Sequence, residues 1–163
     1  MTERDAIEIR PATVADAPAI CRVAIRTLRE TNAHDYAPDV IARLVAGFLP
    51  ERIAAFIASR PFYVALAHGT IVGTANLDGT AARAVFVDPD HQGKGVGAGL
   101  MAAVEKLARE RSVATLEVQS STTAEGFYKK LGYAAVGEKL HGTERTIMMV
   151  KALGPAPVSG RQA

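Results

Sequence analysis

The chain has 163 residues, 48% of them apolar and 22% charged, with a formal net charge of +2. That is the size of a single domain, able to bury roughly 70% of its unfolded surface without a metal or disulfide staple. Lys and Arg are interspersed with Asp and Glu, which argues against a nucleic-acid partner, and the single cysteine, Cys21, excludes an internal disulfide and fits a reducing compartment. No apolar stretch approaches membrane-spanning length and no signal-peptide pattern opens the sequence, so a cytoplasmic protein with no membrane partner is expected.

Ala6 to Arg10 alternates like a short strand that Pro11 ends. Thr13-x-x-Asp16 resembles a capping box, and Ala17, Ile20, Cys21, Ala24 and Leu28 follow at helical spacing, to about Arg29. Cys21 lies on that apolar stripe and reads as a small buried hydrophobe, not a reactive thiol. Glu30 to Pro38 is polar and turn-like, with His34, Asp35 and Tyr36 grouped where they can meet a substrate. A helix then runs through Val40, Ile41, Leu44, Val45 and Phe48, and Pro50 starts another that carries Ile53, Phe56 and Ile57.

Strand patterns follow at Phe62 to Ala67, Ile71 to Leu77 and Ala82 to Val87. The connections His68-Gly69 and Asp78-Gly79 are too short for crossover helices, so these three strands form an antiparallel meander. From Val96 the apolar positions Leu100, Ala103, Val104 and Leu107 recur at three and four, with Glu105, Lys106, Arg109 and Glu110 on the other side. Val113 to Gln119 reads as a strand parallel to the one before the helix, joined by a right-handed crossover. A short helix, Ala124 to Leu131, stops at Gly132, and strands Tyr133 to Lys139 and Arg145 to Lys151 flank His141-Gly142. Residues 1–153 are expected to form one domain, and the tail from Gly154 to be disordered.

Between strand and helix lies Asp88-Pro89-Asp90 and then Gly93, Gly95, Gly97 and Gly99. Bare backbone at a helix start brings N–H groups and the positive dipole end close to a bulky anion, so a phosphate or pyrophosphate is the expected ligand. A P-loop is excluded, because Lys94 follows only Gly93 and no Ser or Thr comes after it. A dinucleotide fingerprint using Gly95 and Gly97 fails at Leu100, and a meander ahead of the loop is wrong for a doubly wound fold. His68, His91 and His141 have no metal-ligand spacing, so no metal site is expected.

The segment Val87-Asp88-Pro89-Asp90-His91-Gln92-Gly93-Lys94-Gly95-Val96-Gly97 resembles the V-x-P-x-x-Q-G-x-G-x-G motif of the GCN5-related N-acetyltransferase (GNAT) superfamily. Ala124-Glu125-Gly126-Phe127-Tyr128-Lys129-Lys130-Leu131-Gly132-Tyr133 is similar to a second motif of that family, and Ile9 to Thr13 with Asp16 resembles its start. The resemblance implies a mixed α/β fold (α+β), a twisted and mostly antiparallel sheet of about six or seven strands with helices on both faces. It also implies acetyl-CoA as co-substrate, held by main-chain groups of Val85, Phe86 and Val87 and by the loop Gln92, Gly93, Lys94, Gly95, Val96, Gly97 and Ala98. Thr123 stands where many relatives place an asparagine that contacts the cofactor arm.

The implied activity is transfer of an acetyl group to a primary amine of a small molecule or protein, by direct attack in a ternary complex. Tyr128 would protonate the departing thiolate, and a backbone N–H near Val87 would stabilise the oxyanion. Glu117, Glu144 and Asp78 are the candidates to assist amine deprotonation. Two other readings stay open, a catalytically silent acyl-CoA-binding module and an NAD-binding oxidoreductase; a homodimer is also open.

Overall fold

The computed structural model describes residues 6–154, so residues 155–163 of the tail expected to be disordered lie outside the described residues. Seven strands form one sheet: β1 (Ile7–Pro11), β2 (Phe62–Ala67), β3 (Thr70–Asp78), β4 (Ala81–Val87), β5 (Thr115–Ser120), β6 (Ala134–His141) and β7 (Glu144–Ala152). Their order is β1-β2-β3-β4-β5-β7-β6, with every neighbouring pair antiparallel except β4 and β5. The meander expected from the two short turns is β2-β3-β4, and the single parallel pair is the one joined by the crossover helix. A doubly wound parallel sheet, which an NAD-binding oxidoreductase of that class would need, is absent from the described residues.

The helices are α1 (Ala17–Glu30), α2 (Pro38–Ala46), α3 (Pro50–Ser59), α4 (Val96–Glu110) and α5 (Glu125–Lys130). Strands β2 and β3 are buried on both faces. Phe62, Val64 and Ile71 pack with Ile20, Val23 and Ile53 of α1 and α3 on one side, while Ala65, Val72 and Leu77 pack with Leu100, Met101 and Val104 of α4 on the other. Gly73 sets the approach of α4, because a Cβ there would come within 2.9 Å of both Leu100 Cδ1 and Val96 Cγ1. Cys21 is 4% exposed, and burial pushes its thiol up, as suits an inert core residue.

Two sequence expectations are corrected in and after α4. The strand expected from Val113 starts at Thr115, because residues 111–113 close the helix. Ser112 takes a left-handed φ of 63°, its N–H donates to Arg109 O, and the Val113 N–H donates to Ala108 O, which is a Schellman cap made without glycine. Glu105, assigned to the solvent side of the helix, is 7% exposed and accepts hydrogen bonds from the Tyr133 hydroxyl at 2.7 Å and Lys151 Nζ at 3.0 Å. A carboxylate can be buried there because both bonds satisfy it, one of them charge-assisted.

The helix expected through Phe48 ends at Ala46. The cap read at Thr13 is present, with Asp16 accepting from the Thr13 N–H at 2.8 Å and from Arg10 Nη1 at 2.8 Å.

Candidate active site

The site is made by a strand that leaves its neighbour. β4 pairs with β5 only at Ala81↔Glu117 and Ala82↔Val118, and beyond Ala82 the two diverge. The divergence coincides with a bulge: the β3–β4 register shifts between Thr74 and Asn76, Ala84 takes a left-handed φ of 52°, and the buried Thr74 hydroxyl donates to Ala84 O at 2.6 Å. Such a bulge re-aims a strand and ends pairing. The Asp88 N–H donates to Val72 O on β3 at 2.8 Å, so by strand alternation the N–H groups of Val85 and Val87 point to the opposite edge, which β5 no longer covers. The Val87 carbonyl is occupied, accepting from Gln92 Nε2 at 3.0 Å and Thr27 Oγ1 at 3.2 Å.

The turn after β4 is pinned to α1. Arg26 Nη1 donates to both oxygens of Asp88, at 2.9 and 3.0 Å, and Arg26 Nη2 to Asp90 at 3.1 Å, while Asp88 accepts from the Asp90 N–H. Burial pushes the Asp88 carboxyl up, but the Asp90 N–H and the Arg26 guanidinium outweigh it and leave the group below the usual carboxylate range. Gly93 and Gly95 then adopt left-handed φ angles of 77° and 86°, and Gly95 is the residue from which α4 starts. The first intrahelical bond runs from the Gly99 N–H to Gly95 O, so the N–H groups of Val96, Gly97 and Ala98 have no partner within α4. Unpaired N–H groups at the start of a 15-residue helix are the kind of donor an anion can occupy.

Two cavities meet at the splayed edge. The first, about 620 Å³, is lined by Val85, Phe86, Val87, Gln92, Gly93, Gly95, Gly97, Ala98, Thr123 and Tyr128, which are ten of the twelve residues singled out from the sequence as binding or catalytic. Lys94 is exposed and outside this lining, and the Val96 side chain is 1% exposed and belongs to the core, which leaves only its backbone for a ligand. Gly97 has a second duty, since a Cβ there would lie 2.9 Å from Phe127 Cζ. The second cavity, about 570 Å³, shares Asn32, Val85, Phe86, Ser121, Ala124 and Tyr128 with the first.

Tyr128 stands in the wall between them, 5% exposed, its ring edge-on to Phe127 at 4.9 Å and to Tyr133 at 5.7 Å. Burial pushes the phenol above its ordinary value, and its hydroxyl has no hydrogen-bond partner among the described residues. Tyr128 is thus a protonated donor with its hydroxyl uncommitted.

Other candidates are placed differently. Thr123 lines the first cavity, but its hydroxyl donates to Asp35 Oδ1 at 2.6 Å and its N–H to Asp35 Oδ2 at 3.2 Å, so the pair latches the segment after α1 to the turn before α5. His34 is exposed and lines neither cavity, whereas Tyr36 lines the second. Glu117 accepts from the Thr80 hydroxyl, Asp78 pairs with Arg83 and Arg60, and Glu144 pairs with Arg43; none of the three carboxylates lines either cavity. Sequence reading missed Thr27, Asn32, Ser121 and Lys130, which line the first cavity. For Asn32 and Ser121 the only signal was a polar turn, which looks the same whether or not it borders a cleft.

Residues 32–151 match the family model described as "Acetyltransferase (GNAT) domain". The chain is 32% identical over 104 residues to the peptidyl-lysine N-acetyltransferase YjaB of Salmonella typhimurium, a match covering 63% of this chain and 70% of that protein. Among solved structures, the GCN5-related N-acetyltransferase of Rhodopseudomonas palustris, also described as "Aminotransferase, Class-II", is 27% identical with a TM-score of 0.83 over 89% of this chain and 94% of its own. The PaiA N-acetyltransferase of Thermoplasma acidophilum, in complex with coenzyme A, shares the fold at 20% identity and a TM-score of 0.77, over 90% and 99% of the two chains. With the family model spanning most of the sequence and unpaired helix-start N–H groups, a splayed strand and a buried tyrosine assembled at one place, this chain belongs to the GNAT family of acetyltransferases.

Proposed function

We propose that the protein transfers the acetyl group of acetyl-CoA to a primary amine by direct attack in a ternary complex. The observation that carries this reading is the uncommitted Tyr128 hydroxyl in the wall shared by two cavities, beside the unpaired edge of β4. The 620 Å³ cavity suits the co-substrate, because its three parts match three parts of that ligand. The free α4 N–H groups and left-handed glycines fit a pyrophosphate, the N–H groups of Val85 and Val87 fit the amides of an extended arm, and Tyr128 lies at the junction with the second cavity. Coenzyme A bound to PaiA, a protein of the same fold, supports the assignment.

In the reaction the amine nitrogen bonds to the thioester carbonyl carbon and the carbon–sulfur bond breaks. The Val87 N–H stabilises the negative charge that develops on the carbonyl oxygen, Tyr128 gives its proton to the departing sulfur, and the amine's surplus proton goes to water and so back to the tyrosinate. A raised phenol pKa keeps the donor protonated at neutral pH.

The test is titration with acetyl-CoA by calorimetry, followed by free-thiol release with a panel of primary amines. Binding followed by amine-dependent thiol release is expected. Binding with no thiol release on any amine, whether small molecule or lysine peptide, would leave a silent acyl-CoA-binding module. A melting-temperature rise with NAD but not with acetyl-CoA would overturn the reading altogether.

A further inference from the structure

The second cavity has an unusual charge balance. Four arginines line it, Arg43, Arg52, Arg60 and Arg83, and no Asp, Glu or Lys does. Arg43 is neutralised by Glu144 at 2.6 Å, and Arg60 and Arg83 share the single carboxylate of Asp78, at 3.6 and 2.9 Å. Arg52 pairs with no carboxylate among the described residues. Its guanidinium and that of Arg60 lie over the same Phe56 ring, 5.8 and 4.3 Å from the centroid. Two like charges gathered at one aromatic ring beside a concave space are suited to an anion.

Much of the remaining wall is apolar and aromatic, including Phe48, edge-on to Phe86 at 5.5 Å, Phe62 and Ile53. Asn76 also lines the cavity, 2% exposed, and its Oδ1 has no hydrogen-bond partner among the described residues. That Oδ1 is closed to solvent as well, so the groups a ligand would meet are the arginines, the aromatic rings and Tyr128.

We propose that the amine acceptor is a small molecule carrying a carboxylate or phosphate group on an apolar body, with its acidic end held by Arg52 and Arg60 and its amine directed to Tyr128. This rests on the acetyl-transfer reading above. The same positive lining has a second consequence. A cationic field disfavours the ammonium form, so the acceptor's pKa falls and its neutral, nucleophilic form is populated without a carboxylate base. That accounts for a pocket whose lining includes none of Glu117, Glu144 and Asp78. A lysine side chain in a peptide brings a cation and no anchor, and meets repulsion at the arginines.

The experiment compares acceptors in matched pairs with acetyl-CoA, by thiol release: L-phenylalanine against L-phenylalaninamide, and phosphoethanolamine against ethanolamine, with a lysine-containing peptide alongside. The anionic member of at least one pair is expected to exceed its neutral partner about tenfold or more in kcat/KM, and whichever pair shows it separates carboxylate from phosphate. Arg52→Gln and Arg60→Gln should raise KM for that anionic amine about tenfold and bring the within-pair ratio towards one, while KM for acetyl-CoA stays put. A binding arm independent of turnover titrates the coenzyme A-loaded protein with N-acetyl-L-phenylalanine, N-acetyl-L-phenylalaninamide and phenyl phosphate, with the two anions expected to bind more tightly.

Equal use of both members of each pair, preference for the lysine peptide, or a charge preference that survives both arginine substitutions would overturn the proposal. In each of those cases acetyl transfer itself stands. Absence of acetyl-CoA binding would instead remove the acetyl-transfer reading, and this inference with it.

Discussion

Tyr128→Phe separates the chemistry from the packing more cleanly than any other substitution. The ring is 5% exposed and makes its edge-on contacts to Phe127 and Tyr133 through carbon, all of which phenylalanine retains. The hydroxyl is unpartnered among the described residues, so its loss breaks no internal hydrogen bond and should change stability by less than about 1 kcal/mol. Proton donation to a leaving thiolate is made only in the transition state. Its removal should therefore lower kcat by ~10², or about 2.7 kcal/mol of barrier, with acetyl-CoA affinity little changed. The assay is a single-turnover measurement of thiol release beside calorimetric acetyl-CoA titration and urea denaturation, because slow product release can hide a damaged acid step in steady state. A folded Tyr128→Phe protein with the wild-type single-turnover rate would refute the acid role. Weakened affinity with an intact rate would make the hydroxyl a binding group.

Thr74→Val removes the hydroxyl that bonds Ala84 O at the β4 bulge, and should cost about 1 to 2 kcal/mol in urea denaturation and weaken acetyl-CoA binding as the splayed edge relaxes; unchanged affinity would show that the bulge holds without it. Gly97→Ala puts a Cβ 2.9 Å from the Phe127 ring, so overpacking by about 1 to 3 kcal/mol should lower the melting temperature together with acetyl-CoA affinity, and loss of affinity alone would argue against the packing role. Glu105→Ala leaves Lys151 and Tyr133 without their shared partner and should cost about 3 kcal/mol in denaturation, at the low end for a buried pair because Lys151 keeps 23% exposure, with thiol-release rates unaffected in the folded protein. Alkaline unfolding should also be visible. Burial raises both Tyr128 and Tyr133, and the Glu105 carboxylate adds to the rise at Tyr133, so their contribution is fully present below the ordinary tyrosine pKa of 10.0 and lost as pH climbs above it. Circular dichroism at pH 9 and pH 11 reads the loss, and a Tyr133→Phe protein should lose less stability over that interval.

Local patterns in this chain carried most of the fold. Alternation over Phe62 to Val87 with two-residue turns left no geometry for that segment except a meander, and the apolar stripe of α4 between two strands required the one parallel pair. The glycines at 93 and 95 were legible as bare backbone at a helix start, because the freedom to take a left-handed φ is a local property of the residue. Long-range placement was not legible. The stripe from Val96 put Glu105 on the wet side, and only the arrival of Tyr133 and Lys151 from 28 and 46 residues away makes its burial tolerable. Thr123 could be matched to a motif position, yet Asp35, 88 residues distant, takes its hydroxyl. The arginines at 43, 52, 60 and 83 are scattered over helices, a loop and a strand, and in the sequence each reads as an ordinary surface charge. Their convergence on one cavity depends on how α2 and α3 pack on α1, which itself lies on β3 and β4, and a charge pattern assembled from separate elements has no period along the chain by which it can be recognised.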